Sequence, residues 1–311
     1  MSNFTKLVLA LVVTLLIFLG LVWIGGSLLG IERLQAGENP VLRFVVVIVG
    51  MLVVLAVYYF TQDSKAWAVG TREVVYMGIG AALYAVLSYL FNGTVFVVPS
   101  VSQVALRPAI CIPMFFGYAF GPVVGFFTGA VGNMFGDALT GFGLYPQWSL
   151  ANGLVGFIAG LGMLFVDRRK GLNTVLTVGA VLVALFTVVY LLNPDVPNTL
   201  FFDPDAGIFG DQTITLFAGV SAVVGFILVL IVRFAFGGNV DVAAAVTWGM
   251  LGNLLGIGFA AISDIWINGY SPAVAIVGEF LPAAGPNLIF AAILVPLLVG
   301  AYAAVGRQSG R

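Results

Sequence analysis

The chain has 311 residues, is 61% hydrophobic and only 8% charged, and carries a formal net charge of -1. Soluble domains keep roughly a quarter of their residues charged, so this composition is that of an integral membrane protein, and the near-zero net charge gives no sign of a nucleic-acid partner. Histidine is absent, which removes the commonest transition-metal ligand and the usual general base. The lone cysteine, Cys111, permits neither an internal disulfide nor a thiolate cluster, and its apolar surroundings mark it as packing. None of the lysines Lys6, Lys65 and Lys170 follows a glycine, so no GxxxxGK[ST] phosphate loop exists.

In chain order, the first apolar run covers 7–29 and is too long for the core of a signal peptide. Runs at 44–60 and 74–91 follow, with a polar linker at 61–72 between them. A Val-, Ser- and Pro-rich loop covers 92–103. Residues 106–120 are short for a span, Gly121-Pro122 turns the chain, and 123–139 and 148–166 follow across a tight 140–147 connection. The charge run Asp167-Arg168-Arg169-Lys170 closes this group. A span at 175–192 leads to the acidic segment 193–212, which holds Asp195, Asp203, Asp205 and Asp211 and no basic residue. Spans at 214–232, 242–267 and 286–305 complete ten predicted helices, with 268–285 read as a connection carrying Glu279. The runs are too long, and alternate too little, for a β-barrel. The expected organisation is all-α: an N-terminal pair in 1–61, four core helices in 73–170, an inserted pair in 171–236 and two last helices in 241–306.

Of the 12 Lys and Arg residues, Arg33, Arg43 and Arg107 fall at one face of this arrangement. Lys6, Lys65, Arg72, Arg168, Arg169, Lys170, Arg233, Arg307 and Arg311 fall at the other. By the positive-inside rule both termini are expected in the cytoplasm and the acidic loop outside.

The stretch 107–160 carries Arg107, Asn133, Asp137, Gln147 and Asn152 in otherwise apolar sequence, and lipid-facing helices have no reason to keep such groups. Gly121, Gly125, Gly129, Gly132, Gly136 and Thr140 recur at helical spacing and predict one face on which another backbone comes close. Asn133 and Asp137, one turn apart beside that stripe, read either as an interhelical clamp or as the polar lining of a cavity. Arg107 admits three readings: snorkelling to headgroups, pairing with Asp137, or gripping an anionic or carbonyl-bearing ligand. Tyr145 and Trp148 fit an interfacial aromatic belt; with Asn152 one turn below Trp148, they also fit a stack-plus-amide site for a flat aromatic ligand. Asn253, Asp264 and Asn287 are the polar residues of the last two helices. Asp264 reads as interfacial beside Trp266, whereas Asn253 lies deep enough to need an interior partner. Gly78, Ala81, Ala82, Ala85 and Ser88 form a small-residue seam.

From Glu73 onward the motifs GIGAALYAVLSYL (78–90), FGYAFGPVVGFFTGAVGNMFGDAL (116–139) and QWSLANGLVGFIAGL (147–161) resemble the S components of energy-coupling factor (ECF) transporters, the riboflavin-type subgroup most closely. WGMLGNLLGIGFAAISDIW (248–266) and AAGPNLIFAAILVPLL (283–298) fit more loosely. The resemblance implies a six-helix core in the plasma membrane of a prokaryote, with a site opening outward under the loop that is 92–104 here. It implies docking through an AxxxA pattern, here Ala81 and Ala85, on a membrane T component served by two cytoplasmic ATPases. It also implies a small vitamin-like substrate and no cofactor. The four additional helices depart from that family, and the missing histidine excludes its nickel and cobalt members. On this reading Arg107, Asn133, Asp137, Tyr145, Trp148, Asn152, Asn253, Asp264 and Asn287 bind the substrate. The alternatives are a proton- or ion-coupled carrier using Asp137, Asp264 and Glu279, and a scaffold whose polar residues only clamp helices. No nucleophile elbow or carboxylate cluster suggests an enzyme.

Overall fold

A computed structural model describes residues 1–92, 98, 100–101, 104–141, 143–198, 202–203, 208–209 and 212–308. Its described residues form ten α-helices: α1 (Asn3–Leu19), α2 (Pro40–Thr61), α3 (Thr71–Asn92), α4 (Cys111–Phe120), α5 (Pro122–Thr140), α6 (Pro146–Leu161), α7 (Leu172–Leu192), α8 (Leu216–Ala235), α9 (Val240–Ile267) and α10 (Leu281–Gln308). Eight of the helical segments are long and apolar enough to cross a membrane. Among the described residues, α4 with its preceding 3₁₀ turn is too short, and α5 is diluted by Gly, Thr, Asn and Asp. The protein is therefore an all-α polytopic membrane protein, as composition predicts.

The helix ends follow local chemistry. Proline opens α2, α5 and α6, where its missing N–H costs nothing. Ser2, Thr215 and Asn239 accept first-turn N–H bonds at α1, α8 and α9. Gly121, at φ 109°, reverses the chain between α4 and α5, and Gly141, at φ 77°, ends α5 by donating its N–H to the Asp137 carbonyl. Both positions need a backbone that side chains with a Cβ rarely adopt.

Helices α5, α6 and α9 form the centre. The most apolar windows of α6 and α9 are 72% and 78% buried, against 33% for α1, α3, α7 and α8, which turn most of their surface to lipid. The glycine stripe explains how the centre closes, but it serves two neighbours and not the single face expected. A Cβ on Gly125 would stand 2.2 Å from the Gly156 carbonyl oxygen, and one on Gly129 would stand 2.0 Å from that of Asn152, so α5 and α6 cross backbone to backbone. Gly132 and Gly136 instead face α3, against the Ala81 carbonyl, Tyr84 and Ser88. Ala81 and Ala85 are accordingly buried against α5, while Gly78 and Ala82 are exposed.

Two segments differ from expectation. Residues 268–285 are not a plain connection: a π-helical stretch at Val274–Phe280 runs straight into α10, so Glu279 is helical and fully buried. Pro286 and Pro296 lie inside α10. The described parts of the acidic segment carry two short antiparallel pairings, Pro197–Asn198 with Gln212–Thr213 and Phe202–Asp203 with Ile208–Phe209. Of the expected cover at 92–104, residues 93–97, 99, 102 and 103 lie outside the described residues. The rest is anchored: Ser100 N–H donates to Asn198 Oδ1 at 3.0 Å and Val101 N–H to the Gly278 carbonyl at 2.9 Å.

The crossing predicts a sharp positional contrast. Gly125→Leu or Gly156→Leu places a side chain where a backbone stands, overpacking that costs at least about 1–3 kcal/mol. Both variants are expected to lose monodisperse protein in detergent chromatography. Gly78→Leu, where a Cβ would meet nothing within 4 Å, is expected to elute as the wild type does.

Candidate functional site

The polar residues of the centre gather at one end of the bundle. Arg107, just before the 3₁₀ turn that leads into α4, turns inward: its guanidinium donates to Asn133 Oδ1 and, at 3.2 Å, to Asp137 Oδ1. Asn133 Nδ2 donates to Asp137 Oδ2 at 2.6 Å and to Ser149 Oγ at 3.1 Å. The i, i+4 spacing thus makes Asn133 the second donor to a carboxylate already paired with arginine, with α6 tied in through Ser149. Of the three readings of Arg107, the pairing with Asp137 is present in the structure.

On α6, Asn152 accepts from the Tyr84 hydroxyl at 2.6 Å and donates to the Trp148 carbonyl at 2.8 Å. The adjacent Trp148 indole N–H donates to Asp264 Oδ2 at 2.8 Å, and Gln147 Nε2 donates to Asp264 Oδ1 at 3.1 Å. Asp264 is therefore not a wet interfacial residue; it is 1% exposed and holds the start of α6 against the end of α9. Beside it Arg43 of α2, also buried, brings Nη1 to 4.0 Å from Asp264 Oδ1 and lies 5.0 Å above the Tyr145 ring. Deeper, Asn253 Nδ2 donates to the Ala284 carbonyl at 2.8 Å, and Asn287 Nδ2 donates to Asn253 Oδ1 at 3.1 Å. That pair supplies the interior partner a buried amide needs.

These groups surround a cavity of about 490 Å³. Arg107, Asp137, Tyr145, Trp148, Asn152, Asp264 and Asn287 line it, joined by Gly37, Glu38 and Arg43 from the N-terminal pair and by Asn268 and Tyr270 beyond α9. Val104 and Ala105, at the end of the expected cover, also border it. Asn133 and Asn253, both fully buried, stand behind this lining and hold its members. Burial first, then the nearby carboxylates of Glu279 and Asp264, push the Tyr270 phenol up to about 12, so it stays a hydrogen-bond donor at neutral pH. The lining combines aromatic faces with converging polar groups, the arrangement of a small-molecule site, and 490 Å³ suits a ligand of that class.

Sequence reasoning did not place Arg43, Asn268, Tyr270 and Tyr84 here. For Arg43 a signal existed: an ionisable residue at the edge of an apolar run can face the protein interior as well as the headgroups. For the others there was none, because only the meeting of α9 with α2 and of α3 with α6 brings them in.

Fold and cavity together define a polytopic membrane protein with a cavity lined by polar and aromatic side chains between its helices. Residues 68–193 match the family described as ECF-type riboflavin transporter, S component, so the resemblance carried by the sequence motifs holds for this part of the chain. That family is a transporter component and not an enzyme class. Among curated proteins the chain is 35% identical over 98 residues to a UPF0397 protein of Aliivibrio salmonicida, covering 32% of this chain and 51% of that protein. A UPF0397 protein of Vibrio atlanticus is likewise 35% identical over 98 residues, with 32% and 52% covered. One of Aliivibrio fischeri is 34% identical over the same length. The chain thus spans about half the length of the curated relatives it matches. No solved structure matches it.

The Arg107–Asp137 pair gives a second test. Removing one member of a buried ion pair leaves an uncompensated charge, at roughly 3–5 kcal/mol, and the half-buried Arg107 places this pair toward the lower end. Asp137→Ala is expected to lower the thermal midpoint in detergent sharply, whereas Arg107→Met with Asp137→Leu is expected to cost much less than the two single changes summed.

Proposed function

We propose that this chain is the substrate-binding subunit of an ECF-type, ATP-driven importer of a small water-soluble vitamin or cofactor precursor, with riboflavin the first candidate. The observation that carries this reading is the chamber itself. The segment that matches the S-component family supplies Arg107, Asp137, Tyr145, Trp148 and Asn152 to one cavity. Tyr145 and Trp148 offer aromatic faces to a ring, and the Arg–Asp pairs and Asn287 offer donors and acceptors to its edges. Capture by such a site needs binding energy alone.

The chamber end carries Arg33, Arg43 and Arg107, while Lys6, Arg168, Arg169 and Arg233 gather at the other end, where Lys6 donates to the Val69 carbonyl and Arg168 pairs with Asp241 at 3.8 Å. This segregation supports a chamber opening outward, both termini in the cytoplasm and placement in a prokaryotic plasma membrane. Energy would come from a T component and two ATPases, which fits the missing phosphate loop. Because Ala81 and Ala85 are committed to α5, T-component docking on α3 is assigned to its exposed Gly78, Ala82 and Val86. In the carrier alternative, Asp137, Asp264 and Glu279 would pass a proton. The arginine and amide partners of the two aspartates support a fixed architecture instead.

Native mass spectrometry of gently purified protein is expected to show a bound small organic molecule, and riboflavin is expected to quench tryptophan fluorescence with no ion gradient present. Absence of any bound molecule, together with no response to a vitamin panel, would overturn the proposal. Accumulation in liposomes by this chain alone, driven by a pH gradient, would establish the carrier. Ala82→Trp is expected to abolish cellular uptake at unchanged ligand affinity.

A further inference from the structure

We propose that the N-terminal helix pair is part of the binding site, with Arg43 a positioning residue that sets the Asp264 carboxylate and the Tyr145–Trp148 aromatic wall. Arg43 lies outside the residues that match the S-component family. A basic residue near the end of a lipid-facing helix ordinarily extends to the headgroups. Arg43 does the opposite and is 2% exposed. Desolvating a guanidinium costs several kcal/mol unless its surroundings compensate, and here they do so from four directions. Nε donates to the Glu38 carbonyl at 2.7 Å and Nη2 to Asn268 Oδ1 at 3.0 Å. The cation stands over the Tyr145 ring, and Nη1 faces Asp264 without a hydrogen-bond partner among the described residues.

The consequence runs through Asp264. Its two oxygens accept from Gln147 and Trp148, so the charge that keeps this carboxylate in place also orients the indole. Trp148 in turn holds Asn152 through its carbonyl. The helix pair is built to keep Arg43 there. Gly37 N–H donates to the Leu144 carbonyl at 3.2 Å and Leu144 N–H to the Gln35 carbonyl at 2.9 Å, which ties the α1–α2 connection to the segment leading to Tyr145. Asn39 Nδ2 donates to the Ile267 carbonyl at 2.8 Å at the end of α9. Lower on α2, a Cβ on Gly50 would come within 2.3 Å of Leu150 and 3.2 Å of Phe259, so α2 is seated closely between α6 and α9. The wall made of Arg43, Asp264, Asn268 and Tyr270 thus reads one side of the ligand with residues beyond the family-matched segment. This last step, and no other, rests on the proposed transport function.

The test has a ligand-free arm and a ligand arm. In 5-fluorotryptophan-labelled protein, with the Trp148 fluorine resonance assigned by Trp148→Phe, Arg43→Ala is expected to shift that resonance and leave Trp248 in place. Arg43→Lys, which keeps the charge but not the fork, is expected to shift it less. Arg43→Gln gives the same comparison should the alanine variant not fold. An unmoved Trp148 resonance in a folded variant overturns the positioning role. In the ligand arm, with riboflavin as the probe, Arg43→Ala is expected to weaken binding at least tenfold and Arg43→Lys by less. Unchanged affinity in Arg43→Ala overturns the ligand-reading role. Wild-type protein that binds no riboflavin counts against the transport reading, and the fluorine arm still decides the role of Arg43.

Discussion

The backbone crossing of α5 and α6 is the contact on which the rest depends. Two helices come this close only where neither carries a Cβ at the contact, and Gly125, Gly129 and Gly156 meet that condition. In a bilayer the approach is rewarded by packing, since lipid tails are as apolar as the side chains they replace. Its direct result is polar. Asn133 reaches Ser149, and the carbonyl of Asn152 lies against Gly129, so the amides of both helices are delivered to the same end of the bundle.

At that end two arginine–aspartate pairs face one chamber, the half-buried Arg107 with Asp137 and the buried Arg43 with Asp264. Each charge brings its own counter-charge, and each carboxylate accepts further bonds from neutral amides or the indole. Such pairs contribute little net stability, because desolvation offsets their attraction; their value lies in fixed direction. Rigid donors and acceptors around an aromatic wall are what a capture site requires, since flexibility there would reduce affinity.

Much of this was legible in sequence. Apolar runs are set by the bilayer, so all ten helices could be placed within a few residues, and the stretch 107–160 was marked by polar groups that lipid does not tolerate. The i, i+4 pair Asn133–Asp137 was readable because both residues share one helix. For Asp264 the sequence leaves an interfacial position open beside the substrate-binding one, since a residue near a helix end looks wet until a neighbouring helix is known to cover it; the structure buries it. Glu279 was misread as part of a connection because glycines and prolines flank it, yet the helix runs through them in a π-helical stretch. The glycine stripe was seen, but its division between α3 and α6 was not, because spacing along one helix cannot say how many neighbours that helix has.

By itself the sequence determined the membrane class, the apolar runs that become helices, the end of the bundle where basic residues are fewer and the likeness of the central segment to a known family. These are properties of composition and local periodicity, which every residue carries with it. Only the tertiary structure decided that Arg43, from helices outside that segment, closes the chamber with Asp264, and that Asn133 and Asn253 support the wall from behind. Which polar groups meet inside a bilayer depends on the order in which helices pack, and that order is set by complementary surfaces far apart along the chain.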